Sequence, residues 1–161
     1  MILKGKLLHR SEEYKEALKF FEFAVQQQAD DDQQNPPRAN CFFYSGNCYE
    51  KLKDFKQAIL SYKKCLTIDN NYLGAAIHLA NLLANLGEGQ RAAKYFKHAI
   101  KIDNSSVNAH FGLAKAIQQY SDDKTAPIQH FEEVLRREPE HYKALTQLGI
   151  LYLDREEFDN S

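Results

Sequence analysis

The chain has 161 residues, 43% hydrophobic and 27% charged, a balance that suits one folded domain and excludes a wholly disordered chain. A formal net charge of −1 argues against a general nucleic-acid binder, and no stretch approaches the roughly 18 unbroken apolar residues of a membrane-inserted helix. The opening Met1-Ile2-Leu3-Lys4 is no secretory leader, and Cys41, Cys48 and Cys65 lack metal-ligand spacing, so a cytoplasmic, intracellular protein with reduced, packed thiols is expected.

Along the chain, apolar and small residues recur at three- and four-residue steps and never alternate, which predicts helices arranged in two-helix units and no strands. The first unit, residues 1–31, carries Gly5 and Leu8 in one helix and Ala17 and Phe21 in the next. Residues 32–38, within the run Asp30 to Arg38, read as an inserted, exposed acidic loop. The second unit, 39–72, repeats the pattern with Gly46 and Tyr49, then Ala58 and Tyr62, and closes at Asp69-Asn70-Asn71.

The third unit, 73–106, has Ala80 and Leu83, then Ala92 and Phe96, with a looser hairpin expected at Gly87 and Gly89. In the fourth, 107–141, Ala114 and Ile117 precede Phe131, and Pro127 predicts a helix that starts late, capped by Thr125. A partial fifth, 142–161, has Gly149 and Tyr152, and Ser161 is expected at the start of its second helix. Because both ends cut through repeats, an excerpt of a longer protein is expected.

Two columns keep one phase. The small residues Gly5, Gly46, Ala80, Ala114 and Gly149 step by 41, 34, 34 and 35, and the aromatics Phe21, Tyr62, Phe96 and Phe131 step by 41, 34 and 35. The small residue lets the helices of a hairpin approach closely, and the Ala-x-x-x-aromatic pair packs against the neighbouring unit. A lone hairpin cannot bury its apolar face, so stability has to come from stacking.

These columns resemble the tetratricopeptide repeat. Its Leu-Gly-x-x-Tyr, Ala-x-x-x-Phe and Pro signature is matched by Leu148-Gly149-x-x-Tyr152, Ala92-x-x-x-Phe96 and Pro139. The resemblance implies an all-α, right-handed superhelical solenoid of antiparallel helix hairpins, with about four and a half repeats. It further implies that the first helix of each unit lines a concave groove for an extended peptide.

On those helices the face opposite the small-residue seam presents Asn40, Phe43, Tyr44, Asn47 and Lys51. It continues with Ile77, His78, Asn81 and Asn85, then Asn108, Phe111, Lys115 and Gln119. The row Asn47, Asn81 and Lys115 is expected to hydrogen-bond a peptide main chain with little part in folding, while Phe43, Tyr44 and Phe111 serve as apolar anchors or as inter-helix packing. Asparagine ladders occur in the arrays of O-linked N-acetylglucosamine transferase, in a different row. The Lys/Asn/Arg carboxylate clamp of co-chaperones is missing, its places holding Phe43, Asn47, His78, Asn108 and Gly112.

No catalytic, cofactor or metal motif is found: the six histidines form no His-Glu-x-x-His, and Gly87-Glu88-Gly89 has no third glycine. Residues 51–101 carry a surplus of six positive charges, including Lys53, Lys56, Lys63, Lys64, Arg91, Lys94, Lys97 and Lys101. They fall mostly on second helices, a solvated outer face or a dock for an acidic partner. The sequence thus points to a non-enzymatic scaffold or adaptor for a protein or peptide. Alternatives are a substrate-recruiting array of a larger enzyme such as a glycosyltransferase, or a subunit that self-associates through its repeat ends in a large assembly.

Overall fold

The computed structural model describes residues 13–27 and 36–159, apart from the side chains of residues 27, 36, 37 and 155–159. Gly5 and Leu8, and residues 32–35 of the expected loop, lie outside these. The described residues form eight helices and no strand: α1 (Tyr14–Gln27), α2 (Pro36–Lys51), α3 (Phe55–Ile68), α4 (Leu73–Asn85), α5 (Gly89–Ile102), α6 (Val107–Tyr120), α7 (Thr125–Arg137) and α8 (Tyr142–Asp159). This is an all-α helical repeat solenoid. Pro36, Pro37 and Arg38, placed by the sequence at the end of the insertion, form the first turn of α2, where a proline gives up an N–H that has no intrahelical partner anyway.

Repetition extends to the turns. After α2, the Asp54 N–H donates to Tyr49 O (2.9 Å) and the Lys53 N–H to Glu50 O (3.0 Å); after α4, Glu88 donates to Leu83 O (2.9 Å) and Gly87 to Ala84 O (3.0 Å). Each turn needs one left-handed residue, Lys53 (φ 62°) in the first and Gly87 (φ 79°) in the second. The hairpin at Gly87 and Gly89 is therefore not loosened. Gly89 is buried, and a Cβ there would lie 2.6 Å from Gln119 Cβ and 2.8 Å from the Ala116 carbonyl oxygen.

Between repeats, Asp69 Oδ1 accepts the Asn71 N–H (3.0 Å) and Asp103 Oδ1 accepts the Ser105 N–H (2.8 Å), one period apart. These side chains satisfy N–H groups that the helix ends leave open.

Two differences from the sequence reading concern helix ends. Thr125 is the first residue of α7 instead of its cap, because the Asp123 carboxylate takes the Thr125 N–H at 2.8 Å and Lys124 occupies the cap position. α8 runs on to Asp159 instead of turning before Ser161. The position matching Lys53 and Gly87 is Glu156, inside Asp154-Arg155-Glu156-Glu157, where no glycine, proline or asparagine interrupts the helix.

The chain divides into two compact units, residues 1–79 and 80–161. In the first, Ala17, Leu18, Phe21 and Ala24 of α1 pack on Cys41 and Cys48 of α2. Tyr62 of α3 is fully buried over Gly46, where a Cβ would lie 2.5 Å from its ring. In the second unit, Phe131, Ile128 and Val134 of α7 pack against Ala114 of α6 and Ala144 and Leu151 of α8. Phe96 of α5 lies against Gly112, where a Cβ would come within 2.2 Å. Ala17, Ala58, Ala92, Phe21, Tyr62, Phe96 and Phe131 are all 0% exposed, so the aromatic column is the core. Each such aromatic contributes about 1.5–3 kcal/mol by leaving water.

Candidate partner-binding surfaces

In the first unit, much of the expected groove face is engaged with the fold itself. Tyr62 is buried up to its hydroxyl, which lies 2.8 Å from Glu50 Oε2 and 2.6 Å from the Asn47 side-chain amide. A phenol has one proton for these two acceptors, Glu50 Oε2 and Asn47 Oδ1, and the charged carboxylate is the stronger of them. Asn40 Oδ1 accepts the Tyr72 hydroxyl at 2.8 Å. These bonds give Asn40 and Asn47 structural work that the sequence reading did not anticipate, and Asn47→Ala is expected to cost stability.

His78 and Tyr62 converge on Glu50. Its carboxyl sits below the ordinary carboxylate range because of His78, then Tyr62, against an opposing effect of burial. The imidazole Nδ1 stands 3.9 Å from Oε2, beyond hydrogen-bond distance. Burial and the neighbouring Glu50 carboxylate push the Tyr62 phenol up.

Three candidate aromatic positions, all half-buried, pack against rings of the fold. Phe21 stacks on Tyr44 at 5.7 Å, and Tyr62 tilts against His78 at 5.8 Å, the same position one repeat later. Gly112 holds that place for Phe96 in the second unit. Phe43 lies between Tyr62 (6.1 Å) and Tyr72 (5.0 Å), and Phe111 lies correspondingly between Phe131 (5.5 Å) and His141 (5.1 Å). Lys51 remains exposed, and Ile77 is half-buried.

The second unit is different. Asn81 and Asn85 at the end of α4, and Asn108 and Lys115 on α6, are exposed. Gln119 is exposed but donates Nε2–H to the Ala84 carbonyl at 3.1 Å, joining α6 to α4. Nearby, His110, 6% exposed, places Nε2 3.1 Å from the Asn104 carbonyl, which fixes that nitrogen as N–H. Its Nδ1 then accepts the His130 Nδ1–H, 3.1 Å away. Burial first, then His110 and Lys97, hold His130 below its ordinary range, with Glu133 opposing.

Cys41, Cys48 and Cys65 are buried thiols, and burial pushes the Cys48 and Cys65 thiols up to about 12, which leaves those two unreactive. Among the described residues no group of three or more His, Cys, Asp or Glu could hold a metal ion, and no helix is long and apolar enough to cross a membrane. What the sequence reading missed are Glu50 and the Tyr62 and Tyr72 hydroxyls. The available signal was a tyrosine in a column otherwise of phenylalanine, since a buried phenol requires a polar partner.

The tetratricopeptide repeat family profile matches residues 1–71, and a second profile of the same description matches residues 73–102. The chain is 24% identical over 125 residues to the protein CTR9 homolog of Arabidopsis thaliana, covering 74% of this chain and 11% of that protein's length. Among solved structures it resembles YrrB, a TPR protein with an unusual peptide-binding site (TM-score 0.81, 21% identity, 96% of this chain and 76% of that one). It also resembles MamA 41-end from Desulfovibrio magneticus RS-1 (0.82, 15%, 97% and 84%). A third similar structure is the first TPR of Spaghetti (RPAP3) bound to the HSP90 peptide SRMEEVD (0.72, 20%, 76% and 96%). With repeat columns, turns and core in register with the matched segments, the chain belongs to the tetratricopeptide repeat family.

Proposed function

We propose that this chain is a non-catalytic, intracellular interaction scaffold that holds an extended peptide or subunit of a partner protein on the face presented by its first helices. The observation that carries this is the exposed set Asn81, Asn85, Asn108 and Lys115, polar side chains on successive first helices of the second unit. A side-chain amide both donates and accepts, which suits the alternating N–H and C=O of an extended main chain. Peptide binding by two of the similar structures supports the same class of partner. The chain spans 11% of the length of its curated relative, which favours, as a second reading, one recognition segment within a larger assembly.

The test is affinity capture from cell extract, wild type against Asn81→Ala plus Asn108→Ala, with melting measured in parallel. Loss of a discrete partner at unchanged melting places binding on this face. Retention of the same partners moves it elsewhere.

A further inference from the structure

The first unit also contains a cavity of about 400 Å³ between α1, α2 and α3, separate from the first-helix face. Its α2 wall consists of Arg38, Phe42, Ser45 and Tyr49, at steps of four, three and four residues, on the side of the helix away from Asn40, Phe43 and Asn47. Gln57, Leu60, Ser61 and Lys64 of α3 face it, and Glu22 and Val25 of α1 close it.

The polarity of this cavity is unbalanced. Arg38 Nε is buried and has no hydrogen-bond partner among the described residues, the position in which a charged donor costs most. The Lys64 ammonium stands 5.5 Å from the Phe42 ring centroid, and the Ser45 and Ser61 residues on the walls are buried. Glu22, the one carboxylate among the lining residues, already accepts the Tyr49 hydroxyl at 3.1 Å. Two cations, one of them with an orphan N–H, thus meet one engaged anion.

We propose that this cavity binds an oxyanion side chain of a partner protein, the carboxylate of an acidic residue or a phosphoryl group, with Arg38 and Lys64 as its ligands. The guanidinium edge offers Nε–H and an Nη–H in parallel, the geometry that two oxygens of a carboxylate or phosphate accept together. Val25, Phe42 and Leu60 supply the apolar wall for the side chain that carries the anion, and the volume suits a side chain or small ligand.

The experiment is an NMR titration of the complete chain, following the Arg38 Nε–Hε resonance, with two probes: a hexaglutamate peptide and the same peptide with phosphoserine at alternate positions. Binding is expected to shift that resonance, and the tighter probe identifies the oxyanion. Lys64→Gln, which keeps the helices and the Arg38 reporter, is expected to weaken binding about tenfold, as for one lost charge-assisted hydrogen bond. Lys56→Gln, an exposed change on α3 outside the cavity, serves as the control. No shift with either probe at millimolar concentration overturns the proposal, as does an equal loss from Lys56→Gln. It is also overturned if Asp30→Asn, Asp31→Asn and Asp32→Asn together shift the resonance in the free protein, since the site is then filled by the chain itself.

Discussion

The Tyr62 hydroxyl gives its one proton to the Glu50 carboxylate, 2.8 Å away, and so joins the core aromatic of α3 to the polar edge of α2. Removing it with Tyr62→Phe leaves the ring and its volume but strips Glu50 and Asn47 of a partner. A loss of about 1.5–3 kcal/mol in urea denaturation is expected, the range for a hydrogen bond to a charged group. Glu50 is held below its unfolded value, so its contribution is present above pH 4.5 and is lost as pH falls through the folded value. The acid-side loss of stability should therefore shrink in Tyr62→Phe.

The His110 and His130 pair predicts a second pH dependence. His130 binds its proton more weakly folded than unfolded, so stability falls as pH drops below 6.5 and levels off once the folded site is also protonated. Double protonation would set two N–H groups face to face across 3.1 Å. His130→Gln, whose amide donates to His110 Nδ1 without titrating, should flatten the change in melting temperature between pH 7 and pH 5. An unaltered profile would assign that change to other groups.

Glycines in equivalent-looking helices should respond with opposite sign. Gly112→Ala puts a Cβ 2.2 Å from the Phe96 ring and is expected to cost about 1–3 kcal/mol through overpacking. Gly149, inside α8, has nothing within 4 Å of its Cβ position, and Gly149→Ala should stabilise by about 0.5–1 kcal/mol through helix propensity. Thermal melts of the two variants decide it.

Ala92→Glu tests the repeat register. Ala92 is 0% exposed, and a carboxylate there is expected to lower stability by several kcal/mol, about 3 or more, as an unpaired buried charge does. A melting temperature equal to that of the wild type would mean that the seam between helices lies elsewhere.

The fold was legible because its determinants recur: a small residue under an aromatic at Gly46 and Tyr62, an Asx turn at Asp69 and again at Asp103. Helix ends were less so. Thr125 lost its cap position to a carboxylate two residues upstream, and Lys53 takes a left-handed turn that sequence assigns more readily to glycine. The candidate site was legible only as a helix face. Asn47 and Asn81 look alike in the sequence, but Asn47 faces a tyrosine where the aromatic column could have held a phenylalanine, and that one hydroxyl turns a surface amide into part of the core's polar edge.

The most direct test of a first-helix binding face is photo-crosslinking in cell extract, with a photoreactive amino acid in place of Asn85 on α4, Asn108 on α6, or Lys94 on α5, all three exposed. A discrete adduct to one partner protein from positions 85 and 108, absent from position 94, is the expected result. Adducts from position 94 alone would contradict it and move the partner to the second helices.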